Sequence, residues 1–170
     1  MKELQIKLMH KEALKRLHDA GILKTDILMS QLSDSDYLLD LLAFELLLKS
    51  VTLIHVGRYN ENHNYQQLFE LLPKVVRNRI IERVAYCSQM SICWRDLQKL
   101  LILYKNNFIK VRYPFEAYKS MNEGEYIEYG DLWINLGAPL DEAELQYHHK
   151  ELDGLNKALL EEIENYLADH

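Results

Sequence analysis

The segment from Asp36 to Val56 constrains the fold more than any other part of the sequence, because it is apolar on nearly every side. A helix of this kind is stable only where neighbouring elements cover it all round. Its exception is a narrow polar stripe of Glu45, Lys49 and Thr52, at helical spacings of four and three. Two interpretations of the stripe stay open: an i,i+4 ion pair at the edge of a bundle, or a polar line facing a cleft.

The same segment argues against a membrane span. Its longest apolar run contains Asp40, Glu45 and Lys49, and each charge would cost about 2.5–3.5 kcal/mol at the centre of a bilayer. The N-terminus lacks the continuous apolar core of a secretory signal. The two cysteines, Cys87 and Cys93, are too few for a disulfide framework and lack the histidine partners of a zinc site. We therefore expect a cytoplasmic protein without a membrane partner, a metal or a cofactor.

The remaining sequence predicts more helices around this central one. Leucine is abundant, whereas glycine and proline are scarce. Apolar spacing and turn residues predict helices over 2–20, 36–56, 65–72, 74–87, 91–112 and 141–168. The segment 118–140 holds most of the later glycines and predicts a long loop, with or without a short strand pair. The predicted fold is therefore all-α: a single domain over 1–170, with four or five antiparallel helices and an irregular insertion near 118–140.

Charge is distributed unevenly along the chain. Residues 74–115 contain 9 basic and 2 acidic side chains, whereas residues 116–170 contain 3 basic and 14 acidic ones. Within the basic part, Arg95, Lys99 and Lys110 fall within about 60° of one another on one helix. This stripe could contact phosphate or form a solvated face. Alternatively, the acidic C-terminal helix could pack against the basic middle, within the protein or across a dimer.

A second candidate site lies just after the central helix, where Arg58, His63 and Tyr65 follow one another at short spacings. A histidine can act as a general acid or base, and an arginine can hold a phosphate through two hydrogen bonds, so the pair could cut RNA without a metal. The other interpretation is an ordinary loop, with His63 capping or bracing the short helix that follows.

Three blocks along the chain then suggest a family. In order they are FELLLKSVTL, HNYQQLFELLP and NNFIKVRYPFE, and their polar residues are Glu45, Lys49, His63, Arg112, Tyr113 and Glu116. Together they resemble the HEPN domains (higher eukaryotes and prokaryotes nucleotide-binding) of bacteria, over about residues 35–116. The resemblance implies an all-α bundle, commonly homodimeric, that works near RNA, nucleotides, or a nucleotidyltransferase or antitoxin partner. Such proteins often belong to toxin–antitoxin, stress or phage-defence systems.

The resemblance also assigns roles to residues. In some HEPN toxins the tyrosine of an Arg–His–Tyr arrangement receives AMP from a partner nucleotidyltransferase, and here Tyr65 matches it. Catalytic members, however, carry their Arg–His pair late in the fold, whereas Arg58 follows the central helix. We therefore expect a binding protein without the standard catalytic pair, in which Arg112 binds an anion or braces Glu45, and Glu116 holds Arg112 or Lys49.

Two other functions stay open. One is a metal-independent endoribonuclease toxin that uses Arg58 and His63. The other is a non-enzymatic dimeric helical module that binds proteins. Whether the protein is an enzyme is therefore undecided by the sequence.

Overall fold

The computed structural model describes residues 2–26, 34–59, 61–88, 93–138, 143 and 145–169. All regular structure in these residues is helical, which confirms the all-α prediction. A 3-10 helix spans Pro114–Tyr118. The α-helices are α1 (Lys2–Asp26), α2 (Ser35–Val56), α3 (Tyr65–Glu70), α4 (Lys74–Ser88), α5 (Trp94–Arg112), α6 (Glu123–Asn135) and α7 (His149–Ala168).

Helix α2 lies at the centre of the bundle, as its all-round apolar character predicts. It packs along α1 and α7 and also contacts α3 and α5. Phe44, Leu47 and Leu48 are fully buried. The helix ends at Gly57, whose left-handed conformation (φ +88°) lets its N–H donate to the Leu53 carbonyl at 3.1 Å.

The acidic C-terminal helix packs against a basic helix of the same chain. Arg79 of α4 forms a two-pronged ion pair with Glu162 of α7, with Nη2 at 2.6 Å from Oε2. One turn away, Arg83 pairs with Glu161 at 2.5 Å. Packing of the acidic end on the basic middle therefore occurs within the chain.

The prediction of a loop over 118–140, with or without a strand pair, is wrong. The segment contains α6, which begins with a capping box: the Asn122 side chain accepts from the Glu125 backbone, and the Glu125 side chain accepts from the Asn122 backbone. Gly124 and Gly130 lie inside this helix. The capping box is a strong local signal for the start of a helix, but the two glycines argued against a helix here. No residue of α6 is buried.

Two helix boundaries also differ. Helix α1 continues through Gly21 to Asp26, so the glycine does not stop it. Helix α7 begins at His149 rather than at 141, because His148 adopts a left-handed conformation (φ +47°) just before it. Residues 141, 142 and 144 lie outside the described residues. None of the helices in the described part of the chain is long and apolar enough to span a membrane.

Candidate functional site

A buried carboxylate organises the polar residues of the central helix. Glu45 is only 7% exposed, and three side chains donate hydrogen bonds to it. Lys49 reaches Oε1 at 2.7 Å, whereas His63 Nδ1 and the Tyr65 hydroxyl reach Oε2 at 2.8 and 3.1 Å. Three donors compensate for the removal of this charge from water.

Lys49 belongs to this cluster as an ion-pair partner rather than as a free cation. Besides Glu45, its ammonium group lies 3.4 Å from the Glu61 carbonyl and 5.8 Å from the centre of the Tyr59 ring. Thr52 is buried and donates to the Leu48 carbonyl of its own helix. The polar stripe is thus an i,i+4 ion pair followed by a satisfied hydroxyl, as the first of the two interpretations predicts.

His63 connects this buried cluster to the surface. Its side chain is half-exposed, and it stands directly before Asn64, whose side chain caps α3 by accepting from the Gln67 backbone at 3.1 Å. Glu45 holds the ring through Nδ1. Nε2, on the other edge of the ring, makes no hydrogen bond within the described residues. The imidazole is therefore fixed on one edge and available on the other.

Arg112 packs against the same aromatic ring as His63. The Phe108 ring centre is 5.2 Å from that of His63 and 5.3 Å from the Arg112 guanidinium carbon. Arg112 also lies 5.3 Å from the Tyr113 ring centre, and its Nη2 is 3.4 Å from the Tyr113 hydroxyl. The side chain is exposed, and it forms no ion pair with any described residue. Phe108 thus brings an oriented imidazole and an unpaired guanidinium to one surface.

Two interpretations made from the sequence do not match this arrangement. Arg112 does not brace Glu45, because Lys49, His63 and Tyr65 do so. Glu116 is exposed on the 3-10 helix, and its side chain contacts neither Arg112 nor Lys49. The Arg112 guanidinium therefore has no carboxylate partner among the described residues.

Tyr65 is buried in the bundle and does not face solvent. It is 0% exposed, packs edge-on against Phe44 and donates its hydroxyl to Glu45. Burial, together with the nearby Glu45 charge, raises the pKa of Tyr65 far above its ordinary value. A nucleotidyltransferase could not reach this oxygen in the described conformation, so AMP transfer to Tyr65 has no support from the geometry.

The remaining candidates lie apart from this cluster. Arg58 is exposed just after α2 and makes no side-chain hydrogen bond, ion pair or ring contact with the residues described. Arg95 and Lys99 are exposed on the outer side of α5, and Lys110 is partly buried farther along it. Of the two candidate arginines, Arg112 lies against the Phe108 ring that His63 also contacts, and Arg58 makes no such ring contact with the described residues.

Phe108 is the member of this cluster that the sequence did not reveal. Its helical spacing predicted a core position, and it is indeed 3% exposed. Its role as a spacer follows only from the approach of His63, which lies 45 residues earlier. The one available signal was its distance of four residues from Arg112, which places both on the same side of α5.

Within the described ranges, no group of His, Cys, Asp and Glu side chains has an arrangement that could hold a metal ion. Comparison with protein-family models, with curated proteins and with solved structures gives no match.

Proposed function

We propose that this protein is a HEPN-like helical protein that binds a phosphate-bearing ligand, RNA or a nucleotide, at His63 and Arg112. The observation that carries the proposal is an oriented imidazole and an unpaired guanidinium, both exposed and both packed against the ring of Phe108. An arginine fork matches two phosphate oxygens, and an imidazolium N–H supplies a further charge-assisted hydrogen bond.

Exposed rings next to Arg112 favour a ligand that also carries a base. Tyr113 follows the arginine directly and Phe115 comes two residues later. Their rings lie edge-on, with 6.3 Å between the ring centres. Both are exposed, Phe115 by 68%. Single-stranded RNA and nucleotides are commonly bound by stacking a base on an aromatic side chain or an arginine beside a phosphate contact. The chemistry of this surface therefore suits a nucleotide unit better than inorganic phosphate.

The wider setting comes from the resemblance to HEPN domains. It supports a cytoplasmic, homodimeric protein of a bacterial stress, toxin–antitoxin or phage-defence system. A nucleotidyltransferase or an antitoxin would be the protein partner.

Metal-independent RNA cleavage is the second candidate, and one observation favours it. Glu45 holds His63 through Nδ1, as a carboxylate orients the histidine of a catalytic triad. Nε2 would remove the proton of a 2′-hydroxyl, and the 2′-oxygen would then attack phosphorus. The 5′-oxygen would leave and take a proton from water, and the imidazolium would release its own proton to solvent. Arg112 would hold the phosphate oxygens throughout. The geometry therefore favours His63 with Arg112, rather than with Arg58, for this reaction.

Binding of a labelled single-stranded RNA and of a fluorescent nucleotide tests the proposal. Loss of one charged hydrogen bond costs about 1.5–3 kcal/mol. We therefore expect Arg112→Gln and His63→Gln each to weaken binding about tenfold or more. Arg58→Gln is the matched control, because it removes an exposed guanidinium from the neighbouring loop, and its affinity should stay within twofold of the wild type.

Each variant is first checked for folding by circular dichroism and thermal melting. Equal loss in all three variants would indicate general charge attraction and contradict the proposal. Wild-type protein that binds neither probe would favour the protein-binding module instead. The same proteins, incubated with RNA and a chelator, separate cleavage from binding: an enzyme would cut RNA as wild type and stop cutting as folded His63→Gln.

A further inference from the structure

Helix α6 exposes a large apolar surface that the described part of the chain does not cover. Leu132 and Leu136 are 56% and 62% exposed, and no residue of α6 is buried. Its ring contacts are those of Tyr126 and Tyr129 with Tyr118. Leu132 and Leu136 are one turn apart, and neither is among the residues that line the groove beside Tyr118. Exposed apolar patches of this kind mark interaction surfaces.

The outer face of α5 has a complementary composition. Ile102 and Ile109 are 46% and 53% exposed and stand two turns apart, so they form an apolar line along the helix. Lys99 and Lys105 lie about 60° to either side of Ile102. Lys99 is exposed and Lys105 is partly buried. This face is therefore an apolar line with basic edges.

The two helices carry formal net charges of opposite sign and equal size. Helix α5 has five basic side chains and one acidic one, whereas α6 has four acidic side chains and no basic one. Glu128 lies about 40° from Leu132, so an acidic edge borders the apolar side of α6. Two surfaces that match in both polarity and charge are suited to each other.

We infer that α6 of one copy docks on the outer face of α5 of a second copy. Within one chain, α6 rests on Tyr118 and makes at most slight contact with α5. Because the two helices are joined by the short segment 113–122, one two-fold axis would bring both α6–α5 contacts together. The interface would use the basic stripe of Arg95 and Lys99 for protein contact rather than for phosphate. The inference does not depend on the anion site proposed above.

Sedimentation analysis over a range of concentrations tests this interface, and two apolar positions of α6 provide a matched pair. Leu132 and Ile127 are equally exposed at 56%, but Ile127 faces the groove near Tyr118. Leu132→Arg places a positive charge against the basic face of α5 and should raise the dimer dissociation constant at least tenfold. Ile127→Arg adds the same charge on the other side and should leave that constant within twofold of the wild type.

A charge exchange tests the reciprocal geometry. One protein carries Glu128→Lys on α6, and the other carries Lys99→Glu with Lys105→Glu on α5. Each should dimerise at least tenfold more weakly alone, because its α6 and α5 now repel each other. Mixed together they should form a heterodimer, because both contacts regain opposite charges. The two proteins keep formal net charges of about −4 and −10, from −6 for the wild type, so general attraction between them does not explain pairing.

The inference is overturned if the wild type is monomeric at all concentrations, whether or not another protein binds α6. It is also overturned if both α6 variants dimerise equally well, or if the mixed proteins stay monomeric. If Lys99→Glu with Lys105→Glu weakens RNA binding but not dimerisation, the stripe faces phosphate and the docking surface is elsewhere.

Discussion

Replacing Glu45 by glutamine tests whether the buried carboxylate holds the candidate site together. The change preserves the volume of the side chain, so no cavity forms. It removes the charge opposite Lys49, whose side chain is only 12% exposed. It also turns one acceptor oxygen into a donor that faces the hydrogen-bond donors His63 and Tyr65. Both effects destabilise the folded state.

The expected cost follows from these contacts. Removing one partner of a buried ion pair lowers the free energy of unfolding by about 3–5 kcal/mol. Lys49 keeps its contact with the Glu61 carbonyl, so we expect the lower end, about 3 kcal/mol. In a chain of this length each kcal/mol lowers the melting temperature by about 2–4 °C. Glu45→Gln should therefore melt about 6–12 °C below the wild type.

Urea unfolding at pH 7, followed by circular dichroism, measures this cost directly. Glu12→Gln is the control, because Glu12 accepts from Arg16 at 2.9 Å in a partly exposed i,i+4 pair of α1, and pairs of this kind contribute at most about 1 kcal/mol. Adding Lys49→Met to Glu45→Gln should restore much of the stability, because it removes the unpaired cation. A loss below 1 kcal/mol for Glu45→Gln, with an unchanged m-value, would refute the reasoning.

Two further predictions concern backbone conformation and pH. Gly57→Ala should cost about 1–2 kcal/mol, because φ is +88° there. Gly21→Ala should instead add about 0.5–1 kcal/mol, since it lies inside α1 with nothing within 4 Å of the added methyl group; equal thermal shifts would contradict this contrast. Burial opposes ionisation of Glu162, but Arg79 and His55 outweigh it and lower its pKa below the ordinary 4.5. Its stabilising effect is therefore complete above that value and is lost as pH falls through the lowered pKa. Glu162→Gln should cost about 1–3 kcal/mol at pH 6 and less near pH 3 in urea unfolding, and a cost that grew on acidification would contradict the assignment.

Local sequence signals predicted much of the fold and, within the candidate site, the pairing of Glu45 with Lys49. The apolar character of α2 required cover on all sides, and the spacing of Glu45 and Lys49 predicted their ion pair. The same approach failed for α6, because helix prediction from periodicity relies on a core-facing side. This helix has no buried residue, and its start is instead encoded in the Asn122–Glu125 capping box.

The sequence by itself determined that the chain is helical, that α2 is central, and that polar residues interrupt its apolar surface. Only the tertiary structure decided which residues meet. The bond from His63 to Glu45 spans 18 residues, and the approach of His63 to Phe108 spans 45. Such contacts depend on the placement of one helix against another, which is set by packing of whole surfaces and not by spacing along the chain. For this reason the structure places His63 and Arg112 against the same ring, a juxtaposition that spacing alone did not predict.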